Sequence, residues 1–338
     1  MTEPTPKPHS QPHGEAIAQE ERRQRRPLFR ALNALVWLAV AACLALLARR
    51  LDWGRVRSEF WGADLGTALL AIAVWPLSSA FKGTRWWLLA REALPARLRD
   101  AVAAYFVGDA ATAVLPLRAG EAVRVELLAR ATGGSRAVSL GTVALDHTVN
   151  GIVMFLFAGA LPLLLPVPRW VLLVVWGGMA GVVLFALLLV RLAKSPPRPG
   201  ARGGGLRGAI RRLRGGLSGL RNPRAVLLAG ASSVVAWGLE ILHTSLALAT
   251  FHLPHGLAHA MGVLFGVNVA LALPSPPGNL GNFEVGAGFA MVALGGGYEN
   301  AAAFALGYHA LQLVPTLLMG ALFLPLAGKG RLRSVSAA

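Results

Sequence analysis

The chain has 338 residues, of which 55% are hydrophobic and only 14% are charged, and its mean hydropathy is +0.55. Because soluble domains carry about 25% charged residues, this composition argues against a water-soluble domain and indicates helices that lie in lipid. The net charge of +17 would suggest a nucleic-acid partner if the protein were soluble. The basic residues instead flank apolar runs, where they encode orientation and attract anionic lipid head groups, so we expect no nucleic-acid partner. The single cysteine, Cys43, excludes an internal disulfide.

Apolar segments of two lengths occur along the chain. Six are long enough to cross a membrane as helices, which takes about 20 residues. Three are too short, and each ends at a proline or a glycine run, so we interpret them as re-entrant or broken helices that other helices cover. The predicted fold is an all-α, polytopic membrane bundle. The six predicted spans are 28–48, 62–81, 138–161, 170–190, 225–249 and 301–327, and the short segments are 101–115, 260–273 and 285–297.

The charged segments predict how the chain is oriented. Residues 1–27 are polar and end in an arginine-rich run, so we predict a disordered basic tail, with a second tail at 328–338 after a membrane domain at 28–327. The loops 82–100 and 191–224 are also basic, and the second carries ten Lys or Arg residues and no acid. Under the positive-inside rule, both tails and both loops are cytoplasmic in a cell inner membrane. We expect the second loop to be mobile or to lie on the anionic leaflet.

Polar residues recur on one face of four of these helices. Ionisable groups in membrane helices usually face an interior, so the stripes predict one shared polar interior. Hydrogen bonds that merely join neighbouring helices are the alternative interpretation. Asp146 and His147 are adjacent in sequence and cannot pair with each other at helical spacing, so we expect each to find a partner on another helix. The residues predicted to converge are Asp109, Glu121, Asp146, His147, Glu240, Glu284 and His309.

Two Pro/Gly elements adjoin these stripes, at 115–124 and at 274–284. Each breaks a membrane-depth segment with proline, exposes backbone through glycine and then presents a glutamate. Broken helices of this kind build substrate sites in transporters, whereas two ordinary interface loops are the alternative. The recurrence of Pro, Gly and Glu in both elements also suggests an inverted internal repeat.

These elements resemble the transmembrane flippase region of lysylphosphatidylglycerol synthases, and the resemblance covers about 28–327. The chain departs from the family at two places. Where the family shows Glu-Arg-x-x-Asp, this chain has Asp146-His147-x-x-Asn150, and Asn279 replaces a family glycine. The matching landmarks are Arg85-Trp86, Leu115-Pro116-x-Arg118-x-Gly120-Glu121-x-x-Arg124, and Pro276-Pro277-Gly278-x-Leu280-Gly281-x-x-Glu284.

The resemblance implies a protein that binds an amphipathic lipid, with an anionic head group expected, and moves it between leaflets. A membrane-embedded transferase or accessory subunit in glycolipid, hopanoid or aminoacyl-lipid biosynthesis is the alternative. The synthases' aminoacyltransferase domain has no counterpart in this sequence, so we do not expect lysine transfer. No nucleotide-binding motif is present, so we expect no cofactor, and transport would be downhill or coupled to ions.

The arginines that follow the first proline break are the predicted head-group ligands. Arg118 and Arg124 could bind phosphate bidentately, while the element Pro276–Glu284 would close the cavity on the opposite side. Pairing with Glu121 and Glu126 is the alternative role for these arginines. We predict no metal ligands. The predicted substrate-binding residues are Arg85, Asp109, Arg118, Glu121, Arg124, Asp146, His147, Asn150, Glu240, Gly278, Asn279, Gly281, Glu284 and His309.

Overall fold

A computed structural model describes residues 53–115, 119–194, 206–273 and 276–327. Every regular element in these ranges is a helix, which confirms the predicted all-α membrane bundle. The helices are α1 (Trp53–Trp61), α2 (Leu65–Ala90), α3 (Leu98–Val114), α4 (Gly120–Thr132), α5 (Arg136–Gly159), α6 (Arg169–Lys194), α7 (Leu206–Gly215), α8 (Pro223–Thr250), α9 (Leu257–Leu271), α10 (Asn282–Ala293) and α11 (Tyr298–Phe323).

Five of these helices are long and apolar enough to cross a membrane: α2, α5 with the turn Leu161–Leu164 that follows it, α6, α8 and α11. They confirm five of the six predicted spans. The remaining predicted span, 28–48, lies outside the described residues, as do both tails and Arg118. Local sequence sets where the spans begin. Asp64 accepts a hydrogen bond from the Thr67 N–H at 2.7 Å at the start of α2, and Asn222 caps α8.

The predicted end of the second span is wrong. The basic loop was expected to begin at residue 82, but α2 continues to Ala90 and places Lys82 and Arg85 inside the helix. The physical reason is charge compensation, because Lys82 pairs with Glu240 and Arg85 pairs with Asp146. Buried cations that have carboxylate partners need not leave the bundle, so the loop shrinks to the short connection before α3.

The helices α3 and α4, which flank the first Pro/Gly element in sequence, form a re-entrant hairpin. The two helices pack with their backbones almost in contact, since a Cβ atom added to Gly120 would lie 2.0 Å from the Gly108 carbonyl oxygen. The chain therefore enters the bundle along α3, turns after Val114 and returns along α4. This confirms that the segment 101–115 is a short broken helix, and it shows that the residues after the tip form the returning helix.

The second Pro/Gly element is the tip of a matching hairpin formed by α9 and α10. A Cβ atom added to Gly286 would lie 2.9 Å from the Gly266 carbonyl oxygen, so these helices also pack backbone to backbone. The predicted short segments 260–273 and 285–297 are thus the two limbs of one hairpin. The tip between them contains the helical turn Pro277–Asn279.

The two hairpins enter the bundle from opposite ends. At one end, the Ser218 hydroxyl donates to the Glu92 carbonyl at 2.8 Å, next to the start of α3. We call this the basic end, because Arg91, Arg97, Arg99, Arg130, Arg136, Arg221 and Arg224 lie near it in sequence.

The opposite end is marked by the Asp64 N–H, which donates to the Thr250 carbonyl at 2.9 Å, so α2 and α8 are antiparallel. The hairpin α9–α10 starts there, immediately after α8. Its tip reaches the first hairpin inside the bundle, where a Cβ atom on Gly278 would lie 3.3 Å from the Ala113 carbonyl oxygen. The order span–hairpin–span occurs twice with opposite direction, which is the arrangement of an inverted repeat.

The second half of the basic loop 191–224 is helical rather than mobile, while the alternative that the loop lies on the anionic leaflet stays a prediction. Residues 206–221 form α7 and the helical turn Gly216–Arg221, while residues 195–205 lie outside the described part. Leu217 is fully buried, and a Cβ atom on Gly216 would lie 2.2 Å from the Val138 carbonyl oxygen. Because Gly216 has no side chain, the turn can pack directly against the start of α5. This packing outweighs the tendency of the loop's arginines to stay in water.

We predict that Gly120→Ala destabilises the fold by about 1–3 kcal/mol, the usual cost of overpacking, because the new methyl group would meet the Gly108 carbonyl. Gly177→Ala is the matched control, since a Cβ atom there meets nothing within 4 Å. Thermal unfolding of both variants in detergent measures the difference. Equal midpoints would show that the hairpin does not depend on this close approach.

Candidate functional site

A buried carboxylate, Asp146, lies at the centre of the candidate site. Arg85 approaches it from α2 with two bonds, Nε to Oδ1 at 2.7 Å and Nη2 to Oδ2 at 3.3 Å. The same guanidinium donates from Nη1 to the Asn150 side-chain oxygen at 2.7 Å and to the Ser233 hydroxyl at 3.2 Å. Asp146 is fully buried and Arg85 is 2% exposed. The pair therefore joins α2, α5 and α8 by charge-assisted hydrogen bonds.

A second arginine shares the same carboxylate. Arg124 Nη2 on α4 donates to Asp146 Oδ2 at 3.1 Å, and its Nε lies 3.4 Å from Glu121 Oε2. Its guanidinium carbon also sits 4.5 Å from the Trp86 ring centroid and 5.1 Å from that of Tyr105. Carboxylates on one side and aromatic faces on the other hold Arg124 in place.

The alternative pairing considered for Arg124 is half right. Arg124 does contact Glu121, but Glu126 pairs with Arg136 and with Arg130 instead. Hydrogen bonds from Arg136 and then from Arg130 lower the pKa of Glu126 to about 2. This exposed triad holds the start of α5 beside α4 and lies apart from the buried arginines.

Lys82 is a site residue that the sequence analysis missed, because it was assigned to a loop. It forms an ion pair with Glu240 on α8, and its Nζ lies 5.0 Å from the Trp75 ring centroid. The Ser78 hydroxyl donates to Glu240 at 3.5 Å. The signal that could have identified it is its spacing from Arg85, since residues three apart share one face of a helix.

These groups surround a cavity of about 120 Å³, which we call the charged cavity. Its three cations, Lys82, Arg85 and Arg124, face three carboxylates on neighbouring helices. The charged cavity therefore has no excess of either sign when its histidine is neutral. Its lining residues are Lys82, Arg85, Tyr105, Glu121, Arg124, Asp146, His147, Asn150, Trp237, Glu240 and Asn268.

His147 and Glu121 form the exposed edge of the charged cavity. His147 Nε2 lies 3.2 Å from Glu121 Oε1, with side chains 50% and 38% exposed. His147 belongs to a helix that is long enough to span a membrane and lies well inside it. As predicted, Asp146 and His147 each find a partner on another helix, and the charged cavity reaches the surface of the bundle at the pair His147–Glu121.

A second polar space, of about 80 Å³, adjoins the tips of the two hairpins, and we call it the tip cavity. Trp75 connects the two spaces, because it lines the tip cavity and faces the amine of Lys82. The tip cavity is lined by Trp75, Asp109, Thr112, Ala113, Leu271, Gly278, Asn279, Phe283, His309, Gln312, Leu313 and Thr316.

Glu284 lies beside the tip cavity and bonds both the tip of the second hairpin and the last helix, α11. Its Oε2 accepts the Gly281 N–H at 2.6 Å, and its Oε1 accepts a hydrogen bond from His309 Nδ1 at 2.6 Å. The structure thus divides the seven residues that were expected to share one interior. Glu121, Asp146, His147 and Glu240 line the charged cavity, whereas Asp109 and His309 line the tip cavity and Glu284 pairs with His309. Asp109 is also within electrostatic range of Lys82 in the charged cavity.

Five long apolar helices and two opposed re-entrant hairpins around polar cavities define a multi-pass membrane protein with a broken-helix core. The family model for the lysylphosphatidylglycerol synthase TM region matches residues 33–320. The chain therefore belongs to this family, and it is a membrane protein linked to lipid biosynthesis or translocation. Neither the comparison with curated proteins nor that with solved structures found a match.

We predict that Asp146→Asn lowers stability by about 3–5 kcal/mol, because the change keeps the shape but leaves two buried arginines without their shared countercharge. Glu126→Gln is the control, since it removes a carboxylate that pairs with two arginines at the surface. Thermal unfolding in detergent measures both. If Asp146→Asn shifts the midpoint no more than the control, the buried network does not hold these helices together.

Proposed function

We propose that the chain moves an amphipathic lipid between leaflets by passing its polar head group through the charged cavity and the tip cavity. The observation that carries this proposal is the contact between two hairpin tips that enter from opposite ends, with a polar space adjoining it. Broken helices that meet inside a membrane form the substrate sites of transporters built from inverted repeats. The family membership supports a lipid as the cargo.

The exposed edge of the charged cavity supports lipid rather than a soluble substrate. His147 and Glu121 present polar groups on the outer surface of the bundle, while Leu140 and Leu156 on the same helix are 49% and 61% exposed. A head group can enter at this edge while its hydrocarbon tails stay in the surrounding lipid. We further propose that the basic end is cytoplasmic in a cell inner membrane, as the distribution of arginines indicates.

Lys82 is the cation best suited to bind the head group. Arg85 and Arg124 are held by several partners each, which supports a positioning role for Arg124 rather than direct capture of substrate. Lys82 carries its charge on a flexible stem and pairs with Glu240 at the Trp75 side of the cavity. An anionic head group would exchange with Glu240 as the partner of Lys82. Arg118 stays a proposed phosphate contact before the returning helix.

The pairing of the carboxylates supports transport over the alternative of a membrane-embedded transferase. Asp146, Glu240 and Glu284 each contact a basic side chain. A general base needs a carboxylate that can reach a substrate proton, whereas these carboxylates already accept hydrogen bonds from arginine, lysine or histidine. Pairing each carboxylate with a basic side chain neutralises its charge inside a membrane, which a transport site needs and a general base does not.

We predict that Lys82→Gln slows translocation of a fluorescent anionic lipid in proteoliposomes at least about tenfold, the effect of losing one charge-assisted bond of roughly 1.5 kcal/mol. The double variant Lys82→Gln with Glu240→Gln restores neutrality, so it should fold normally and still be slow. Arg130→Gln, at the exposed triad, is the control and should retain the wild-type rate. Wild-type rates in the double variant would refute this role of Lys82.

We predict that Gly278→Ala also slows translocation, because its φ is +68° and the added methyl group would press on the Ala113 carbonyl at the contact between the tips. Gly295→Ala is the matched control. Its φ is +91°, so the backbone strain is similar, but a Cβ atom there meets nothing within 4 Å. If the two variants lose stability and transport equally, the contact between the tips has no special part in transport.

A further inference from the structure

We infer that Glu284 and His309 form a proton-binding site, and that its proton is the coupling ion for lipid movement. The proton site itself stands on geometry alone. The coupling rests on the proposed function.

The Glu284 carboxylate is placed where one proton affects two parts of the fold. Both members of the pair are buried, with side chains 7% and 9% exposed for Glu284 and His309. The Phe283 ring stacks on the imidazole with centroids 4.4 Å apart, which fixes the ring beside the carboxylate. Glu284 also accepts the Gly281 N–H, so the charge of the pair acts on the tip backbone and on α11 together.

The tip that this carboxylate holds has a left-handed backbone at three positions. Gly278, Asn279 and Gly281 all have positive φ, at +68°, +56° and +88°. Glycine adopts positive φ without steric cost, whereas Asn279 keeps it only where surrounding contacts hold it. Glu284 supplies one of those contacts, and the turn adjoins Ala113 in the first hairpin. The pair therefore controls the segment that closes the bundle toward the opposite end.

Binding one proton changes the pair in a defined way. Neutral His309 donates its Nδ1–H to the carboxylate, and the pair carries one negative charge. A proton taken up at Nε2 makes an imidazolium, and the pair becomes neutral overall. The Nδ1–H bond to Glu284 then joins two ions and gains coulombic attraction, so the tip is held more tightly. The proton enters from water at one end and is released at the other.

Ionisable groups on the neighbouring helices set the electrostatic environment that an anionic cargo would meet near the Glu284–His309 pair. Asp109 on α3 lines the same cavity, and Lys82 on α2 is within electrostatic range of Asp109. Tyr308 on α11 bonds Thr244 at 2.7 Å. On α8, Glu240 pairs with Lys82, and His243 bonds the Ala71 carbonyl. The only ionisable residue of α9 is His259, near its far end.

Proton binding therefore changes the net charge of the Glu284–His309 pair from −1 to zero beside the tip cavity. That reduces the repulsion of a phosphate-bearing head group, so the proton and the lipid favour each other's presence. A sodium ion fits this place poorly, because hard cations take about six oxygen ligands. In the part of the chain that the structure describes, no group of three or more His, Cys, Asp or Glu residues could hold a metal ion.

The first half of the repeat contains an equivalent pair. Glu121 follows the first tip as Glu284 follows the second, and each bonds a histidine of the next span. The first pair is about half exposed and the second is buried. Equivalent groups with opposite exposure are what an inverted repeat shows when one end is open and the other is closed. In the reversed state Glu284 and His309 would be exposed and could exchange their proton.

Hydrogen–deuterium exchange of the full chain in nanodiscs tests the proton site without any transport. After correction for intrinsic rates, we expect the peptide 276–284 to be about fivefold more protected at pH 5.5 than at pH 8 in the wild type. Glu284→Gln and His309→Gln should each abolish this difference, and the control His259→Gln should retain it. Equal protection at both pH values in the wild type would overturn the proton site, whatever a transport assay shows.

Proteoliposomes with an imposed gradient of about one pH unit, a tenfold ratio of proton activity, test the coupling. Wild-type lipid movement should accelerate with the gradient, and the rates of Glu284→Gln and His309→Gln should not respond. Lipid movement that ignores the gradient in the wild type would overturn the coupling and leave the proposed function standing. Dependence on sodium at constant pH would overturn the proton as the coupling ion. If no condition moves lipid, the proposed function fails, and the exchange experiment alone decides the proton site.

Discussion

The sharing of Asp146 by Arg85 and Arg124 is the interaction on which the rest of the structure depends. A lone charge at mid-membrane costs about 2.5–3.5 kcal/mol on insertion scales, so none of the three groups is tolerable without the others. Their bonds join α2, α4 and α5, and Arg85 extends the network to Ser233 on α8. The first hairpin is thereby fixed against two spans by charge, and its own limbs are held together by the close contact of Gly108 with Gly120.

The balance of charge in this network limits what the charged cavity can do. Since each cation already faces a carboxylate, an anion gains little by simply entering and must exchange with a resident carboxylate. Lys82 and Glu240 are the pair for which exchange is easiest, because both arginines are restrained by several bonds or by aromatic rings. Burial of ion pairs is costly unless geometry is good, so a site of this kind favours passage over tight retention of a ligand.

Sequence reasoning predicted the elements whose cause is local. Apolar length predicted the five spans that the structure describes, and Pro and Gly predicted where the hairpins turn. It could not pair the limbs of the hairpins, because the contact of Gly108 with Gly120 depends on tertiary packing rather than on periodicity. It misplaced Lys82 because the cation is compensated by Glu240, far away in sequence. It predicted one polar interior where the structure has two cavities. Helical periodicity shows on which face of a helix a polar stripe lies, but it does not show where a hairpin tip from elsewhere in the chain separates the cavities.

The two Glu–His pairs show why a broken helix suits this fold better than a continuous one. A continuous span would bury all its backbone bonds within itself and would leave no free N–H for a carboxylate to hold. At the second tip the Gly281 N–H is available, and Glu284 binds it together with His309. One ionisable group can therefore tie backbone, side chain and the next span into a single unit. Because the repeat is inverted, a Glu–His pair occurs on each side of the contact between the tips, exposed on one side and buried on the other.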